Sequence, residues 1–261
     1  MRIITVSNQK GGVSKTTTVH CIGAGLGHIG KKVLLLDLDP QSNLTNLCGA
    51  ITDAEDESTI TMLEVLVGEA NINDAIQKKE LYDVVPSSLF LASIDGRIPN
   101  VLSRPYRLQT ALKDLHEDYD YILIDTPPAL GTLTSNALIA ADSVLIPAQA
   151  DVLSLQGISQ LYETIEAAKE HANPKLSIDG IILTRFNDRT NLTKKVTELF
   201  DAAAGQLNTK VFNTRIRENV KIKEAQAEGI DVFTKDPKCN GSLDYNALIK
   251  EIFGLEVENN E

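Results

Sequence analysis

Cysteine and aromatic residues are scarce in this chain of 261 residues, which has three cysteines and no tryptophan. Cys21, Cys48 and Cys239 are odd in number and far apart, and no C-x-x-C occurs, so the sequence indicates neither a disulfide framework nor a zinc site. The chain also lacks any apolar run of the roughly 20 residues that a membrane-spanning helix needs. Its first apolar stretch is too short for a signal peptide. We therefore expect a soluble cytoplasmic protein that does not bind a membrane.

Positive charge is in deficit, with 25 Lys and Arg against 36 Asp and Glu, a formal net charge of -11. Taken as an average, this charge argues against nucleic acid as a partner. Hydrophobic residues at 43% and charged residues at 23% are ordinary values for a folded domain. We expect a single domain over residues 1–261, with a frayed acidic tail at residues 256–261.

Short apolar, β-branched runs alternate along the chain with segments of helical spacing. Each run reads as a buried strand, and Leu153, Ile158, Leu161 and Ile165 recur at helical intervals after one of them. This alternation predicts an α/β fold with a doubly wound, mainly parallel sheet. Such sheets bind ligands at the carboxyl ends of their strands, so the chemistry is expected there. The predicted strands are residues 3–6, 33–36, 81–85, 121–124, 144–146 and 178–183.

A glycine-rich loop follows the first predicted strand and leads into a helix. This layout is typical of a phosphate cradle, in which backbone N–H groups and the helix N-terminus face the anion. Lys15 is expected to reach the β and γ phosphates, and the Thr16 hydroxyl to bind Mg²⁺. The predicted nucleotide-binding residues are Lys10, Gly11, Gly12, Val13, Ser14, Lys15, Thr16 and Thr17.

Carboxylates follow two other predicted strands. Asp37 and Asp39, two residues apart, point to the same side of an extended chain. Asp125 ends the fourth predicted strand, where a carboxylate can contact Mg²⁺ through its water shell. Alternatively, the pair of residues 39 and 40, Asp-Pro, simply ends a strand. With Thr16, these three aspartates form the predicted metal site.

Three strings together resemble the ParA/MinD superfamily of ATPases. K-G-G-V-S-K-T-T at residues 10–17 resembles its deviant Walker A motif, K-G-G-x-x-K-[ST], although Ser14 stands where the family usually has glycine. D-L-D-P-Q at residues 37–41 resembles its switch I, and D-T-P-P-A-L-G at residues 125–131 its switch II. The resemblance implies a P-loop NTPase fold that uses ATP and Mg²⁺.

The resemblance also implies roles for individual residues. Lys10 would cross a dimer interface to touch the phosphates held by the other subunit, much as an arginine finger does. Asp39 would orient the attacking water, and Asp37 would help to hold the metal. The resemblance thus gives the expected catalytic residues as Lys10, Lys15, Asp39 and Asp125.

In the second half, the stretch around Asn219 resembles the segment that lies against adenine in the family. Asn219 is therefore expected to bind the base. Many relatives carry proline where Arg217 stands and a basic residue where Glu218 stands. The resemblance consequently gives no role for Arg217.

Positive charge is concentrated in residues 185–223, where nine basic and four acidic residues give +5 and leave -16 for the rest. ParA proteins bind DNA without sequence specificity as ATP-bound dimers, and a basic surface of this kind would serve that purpose. A merely solvated basic face is the alternative. The predicted DNA contacts are Lys194, Lys195, Lys210, Arg215, Lys221 and Lys223.

The leading hypothesis is a ParA-type partition ATPase. Its ATP-dependent homodimer would bind non-specific DNA on the nucleoid, and a ParB-like centromere-binding partner would stimulate hydrolysis and release. One alternative is a positioning ATPase of the same architecture with a protein cargo. Another is a metabolic P-loop enzyme, since dethiobiotin synthetase has a related fold. The chain lacks the basic C-terminal helix that a MinD-like membrane ATPase would need.

Overall fold

One mainly parallel sheet organises the fold. The computed structural model describes residues 1–53, 55–56, 58–98, 102–187 and 191–257, with only the backbone for 191–194. Within these residues the strand order is β3-β4-β2-β5-β1-β6-β7, and only the β3-β4 pair is antiparallel. The predicted fold class is confirmed. The strands are β1 Arg2–Val6, β2 Val33–Asp37, β3 Gln77–Lys78, β4 Asp83–Val85, β5 Tyr121–Asp125, β6 Ser143–Gln149 and β7 Ser177–Thr184.

Helices cover both faces of this sheet, and no described helix is long and apolar enough to cross a membrane. Two short 3-10 helices, Leu89–Ser93 and Arg104–Tyr106, follow β4. The α-helices are α1 Lys15–His28, α2 Asn43–Leu47, α3 Met62–Val67, α4 Ile72–Ala75, α5 Ile94–Arg97, α6 Arg107–Leu112, α7 Thr132–Ala140, α8 Val152–His171, α9 Asn191–Gln206, α10 Val220–Glu228, α11 Val232–Lys235 and α12 Asn240–Phe253.

Strand β2 shows how the core is built on two faces. Leu35 packs with residues of α1 and α12, whereas Leu34 and Leu36 pack on the opposite face with residues of α3 and α6. Gly23 allows α1 to approach the sheet, because a Cβ there would lie 2.7 Å from Leu35 Cδ2. Each such buried leucine stabilises the fold by about 2 kcal/mol. The two-sided burial explains the continuous apolar runs of these strands.

Two details differ from the sequence prediction. The polar pair that forms β3 has no apolar run to reveal it, and Leu81 and Tyr82, predicted as strand, instead pack against the α1 side of the core. Val257 is 5% exposed, and its backbone N–H donates to Asn246 Oδ1 at 2.8 Å. The fraying expected for the acidic tail at residues 256–261 stays a prediction. Residues 258–261 lie outside the described residues.

Candidate nucleotide-binding site

The loop between β1 and α1 has the backbone of an anion cradle. Gly12 and Ser14 adopt left-handed conformations, with φ of +76° and +68°. A Cβ at Gly12 would meet nothing within 4 Å, so glycine suits this position through its φ rather than through lack of space. Helix α1 begins at Lys15, and its first N–H groups have no partners within the helix. These donors and the helix dipole favour a bound phosphate.

This loop forms one wall of an open cavity of about 610 Å³ at the carboxyl edge of the sheet. The other walls come from the segment after β2, Pro128 after β5, the residue after β7, residues 216–219 together with α10, and Tyr245 of α12. A cavity of this size can hold a nucleotide. Val13 is fully buried beneath the loop. The predicted site residues that line the cavity are Gly11, Gly12, Ser14, Lys15, Thr16, Thr17, Asp39, Asn219 and Lys223.

Lys15 is 7% exposed, and its Nζ donates to the Lys10 carbonyl oxygen at 3.3 Å. Burial lowers the pKa of Lys15, while the negative charges of Asp125 and Asp39 oppose this effect. An ammonium group has three donors, and the structure gives one hydrogen bond for this group among the described residues. Phosphate oxygens could therefore occupy the remaining donor positions.

The Lys10 ammonium is held at the start of α8. Its Nζ lies 2.6 Å from Asp151 Oδ2 and 3.3 Å from Ser154 Oγ. Asp151 is also the N-cap of α8, where its Oδ1 accepts the Ser154 backbone N–H at 2.8 Å. The Lys10 and Asp151 side chains remain 26% and 38% exposed. An ion pair at such a rim contributes little free energy, so Lys10 could exchange this carboxylate for another anion.

Asp125 lies beside Asp37 in the register of β5 and β2. Both carboxylate oxygens of Asp125 are buried and have no hydrogen-bond partner of ordinary geometry among the described residues. Burial raises its pKa well above the usual range and Asp37 adds to the rise, whereas the nearby Thr16 hydroxyl and Lys15 oppose it. An unpaired buried carboxylate is costly. The position therefore fits hydrated Mg²⁺, which Thr16 and phosphate oxygens could bind directly.

Asp37 is engaged by protein donors through both of its oxygens. Oδ1 accepts the Asp39 backbone N–H at 3.0 Å, and Oδ2 accepts the backbone N–H and hydroxyl of Thr45 at 2.8 and 2.7 Å. The Thr45 hydroxyl in turn accepts the Ser87 backbone N–H at 2.8 Å. This buried network joins the ends of β2 and β4 and fixes the backbone of switch I. The metal-binding role of Asp37 stays a prediction.

Two contacts shape the side of the cavity that was expected to bind the base. Asn219 is the N-cap of α10, and its Oδ1 accepts the Lys221 backbone N–H at 2.7 Å. Its side-chain NH₂ can donate to an acceptor on a base. Arg217, for which the sequence indicated no role, pairs with Asp244 of α12 through its Nε at 3.0 Å and its backbone N–H at 2.9 Å. This ion pair anchors the segment before α10.

Comparison with known proteins identifies the family. Residues 1–178 match a family described as an AAA domain. The Bacillus subtilis sporulation initiation inhibitor protein Soj is 42% identical over 96% of this chain and 98% of its own length. The Caulobacter vibrioides chromosome partitioning protein ParA is 38% identical over 98% of this chain and 95% of its own length. The chain belongs to the ParA/MinD family of P-loop ATPases.

A solved structure of a family relative indicates the cofactors of this ParA/MinD-family protein. Cobyrinic acid a,c-diamide synthase of Mycobacterium smegmatis, with a bound ATP analogue and magnesium, superposes with a TM-score of 0.81. It is 32% identical, and the match covers 98% of each chain. The present protein is an ATPase that uses ATP and Mg²⁺.

The basic residues predicted to contact DNA have different surroundings in this ParA/MinD-family ATPase. Lys195 is exposed on α9, and Lys210 is exposed with its Nζ 4.8 Å from the centroid of the Phe212 ring. Arg215 lies over the Phe186 ring and is half-buried. The side chain of Lys194 lies outside the described residues.

The remaining two basic residues are paired on α10. Lys221 Nζ lies 2.8 Å from Glu224, and Lys223 Nζ lies 3.3 Å from Glu218. Lys223 also lines the nucleotide cavity. Among the described residues no ion pair is found for Lys195 or Lys210, so these two lysines are the strongest candidates for the predicted DNA contacts.

Sequence reasoning missed several residues of the site. Asp151 follows β6 as Asp39 follows β2, so its position after a strand and before a helix could have revealed it. Two further residues, Tyr245 and Gln226, line the cavity from helices, and no local sequence motif marks either of them. The Tyr245 hydroxyl lies 3.2 Å from Thr18 Oγ1. Arg185 lines it directly after β7 with a φ of +49°, a conformation that sequence alone does not reveal.

Proposed function

We propose that this ATPase is a partition ATPase whose ATP-bound form is a sandwich homodimer that carries DNA cargo. The observation that supports it most is the position of Lys10. Lys15 already occupies the base of the phosphate loop, while Lys10 lies at the rim in a partly exposed ion pair with Asp151. A second lysine at the rim is suited to reach the phosphates of a facing subunit.

The surface beside this ion pair supports an interface at the same place. Val152 and Leu153, which follow Asp151 at the start of α8, are 57% and 67% exposed. Two exposed apolar side chains next to an exchangeable lysine would be covered when a second copy docks. The homodimer would thus bury these side chains and bring Lys10 to the partner's nucleotide.

The geometry of the cavity supports the following roles in nucleotide binding. The loop of residues 10–17 would bind the phosphates, Asn219 the adenine, and Thr16 the Mg²⁺ directly. Asp125 would act on Mg²⁺ through water, and Asp39, which lines the cavity, would orient the attacking water. Asp37 would support the metal and hold switch I in place through Thr45.

DNA binding is proposed to be weak, non-specific and dependent on ATP. A dimer would present two copies of Lys195 and Lys210, which would contact phosphates without reading bases. A ParB-like centromere-binding partner would order the switches and accelerate hydrolysis, releasing the DNA. The protein would then cycle between the cytoplasm and the nucleoid.

Retention on immobilised random-sequence DNA tests this proposal. Retention should occur with ATP and Mg²⁺, be absent with ADP or without nucleotide, and fall steeply as salt rises. Adding the protein encoded by the neighbouring gene should shorten the time for which this protein stays on the DNA. Equal retention in all nucleotide states, or none in any, would overturn the proposed DNA cycle.

The name of the Mycobacterium smegmatis structure favours a second candidate, a metabolic enzyme that uses the γ-phosphate on a small substrate. Such an enzyme would not need Lys10 to cross between subunits. Two results together would favour this candidate: the protein stays monomeric with ATP, and its Lys10→Ala variant hydrolyses ATP at the wild-type rate. A protein cargo remains the third outcome if ATP drives dimerisation without DNA retention.

A further inference from the structure

Helix α10 forms a wall of the nucleotide cavity opposite the phosphate loop. Asn219, Ile222 and Gln226 line the cavity from this side, and Thr17 of α1 lines it from the other. Gln226 Nε2 donates a hydrogen bond to Thr17 Oγ1 at 3.1 Å, across 209 positions of sequence. The two walls are therefore tied together at a point that faces the ligand.

The direction of this hydrogen bond determines what the Thr17 hydroxyl can do. A hydroxyl has one hydrogen to donate and two lone pairs, whereas the side-chain NH₂ of glutamine can only donate. Because Gln226 fills a lone pair of Thr17 Oγ1, the hydroxyl hydrogen stays available for another acceptor. Thr17 lies in the first turn of α1, where an anion is favoured.

The position of α10 itself does not depend on Gln226. On the side of α12, Ile222 packs closely against Gly241, where an added Cβ would lie 2.7 Å from Ile222 Cγ1. Asn219 caps the start of the helix. Both Gln226 and Thr17 are partly buried, so a substitution of Gln226 can remove the donor without exposing the core.

We propose that Gln226 is a positioning residue for nucleotide binding. Its NH₂ group aims the Thr17 hydroxyl at a phosphate and fixes the distance between the phosphate wall and the base wall of the cavity. It acts through Thr17 and touches the nucleotide site without taking part in hydrolysis. This role extends the ATPase site and does not require the dimer or DNA binding.

Calorimetric titration of Mg-ADP and Mg-ATP tests this role in the variants Gln226→Met and Gln226→Glu. Methionine keeps the length of the side chain but has no donor, so both dissociation constants should rise about fivefold. Glutamate has nearly the shape of glutamine, but its carboxylate would accept the Thr17 hydrogen and repel phosphate, so binding should weaken further. If Gln226 served packing alone, the Gln226→Met variant would bind both nucleotides as the wild type does.

The Thr17→Val variant supplies the second arm of the test. Because valine has no hydroxyl, adding Gln226→Met to it should change the dissociation constants by less than twofold. Gln160→Met, on an exposed position of α8, is the matched control and should bind as the wild type does. Three results would each overturn the proposal. The first is wild-type affinity in Gln226→Met, and the second is tighter binding by Gln226→Glu than by Gln226→Met. The third is that Gln226→Met weakens nucleotide binding equally in the wild-type and Thr17→Val backgrounds.

Discussion

The Lys10 ammonium and the Asp151 carboxylate form an ion pair of 2.6 Å between the phosphate loop and the start of α8. The same carboxylate caps α8, so one residue both starts a helix and holds the lysine that is proposed to act across a dimer. Dimerisation would require Lys10 to exchange Asp151 for phosphate. The strength of this ion pair therefore sets part of the cost of assembly.

Asp151→Asn should strengthen the ATP-dependent dimer. Asparagine keeps the cap of α8 but removes the charge that holds Lys10. Because a partly exposed ion pair is worth up to about 1 kcal/mol and the homodimer would exchange two such pairs, the dimer dissociation constant should fall by up to about thirtyfold. Sedimentation velocity over a range of protein concentrations with ATP measures it. Asp118→Asn, at an exposed position, is the charge-matched control, and a weaker dimer in Asp151→Asn would contradict the account.

Thr45→Val should destabilise the fold by about 2 kcal/mol, because it removes the hydroxyl that donates to buried Asp37 Oδ2 and that accepts the Ser87 backbone N–H. Thr45→Ser keeps the hydroxyl and should cost about 1 kcal/mol or less through the lost methyl group. Urea unfolding measures both. ATP hydrolysis should also slow more in Thr45→Val than in Thr45→Ser. The reason is that Asp37, which the Thr45 hydroxyl holds, accepts the backbone N–H of Asp39. Equal effects of valine and serine would show that the hydroxyl is unimportant.

The stability of the protein should fall between pH 6.5 and pH 4 through His20. This residue is 2% exposed with its Nε2 2.9 Å from the Tyr82 hydroxyl, and burial lowers its pKa to about 4 while Asp231 opposes the shift. In the unfolded chain His20 binds a proton near pH 6.5, whereas in the folded protein it stays neutral until about pH 4. As the pH falls through this range, protonation therefore stabilises the unfolded chain relative to the folded protein. The loss reaches roughly 3 kcal/mol at pH 4 and is absent above pH 6.5.

Urea unfolding of His20→Gln over the same pH range isolates this contribution. Its stability should vary less with pH than that of the wild type, although other acidic groups will still titrate. His171→Gln, at an exposed position, should keep the wild-type dependence. An unchanged slope in His20→Gln would assign the pH dependence to other groups.

Lys195→Glu combined with Lys210→Glu should weaken DNA retention at every salt concentration tested. Each lost phosphate contact should lower the slope of log affinity against log salt by about 1. Lys175→Glu changes the same charge just before β7, at the amino edge of the sheet, and should leave retention as in the wild type. Equal retention by the double variant and the control would exclude this DNA surface.

Much of this architecture could be predicted from the sequence because it follows from local patterns. Apolar runs gave six strands, and a parallel sheet necessarily brings the residues after those strands, Lys15 and Asp125 among them, to one edge. The contacts Lys10–Asp151 and Gln226–Thr17 could not be predicted, since they join residues 141 and 209 positions apart through tertiary packing. Strand β3 was missed because its two residues are polar.

The central claim is that ATP joins two copies through Lys10, and the mass in solution tests it most directly. Light scattering should be recorded on the Asp39→Ala variant, which should retain ATP, with Mg-ATP and with Mg-ADP. The account predicts twice the protomer mass of 28.4 kDa with ATP, the protomer mass with ADP, and the protomer mass in both when Lys10→Ala is added. A Lys10→Ala protein that still reached the doubled mass with ATP would contradict the account.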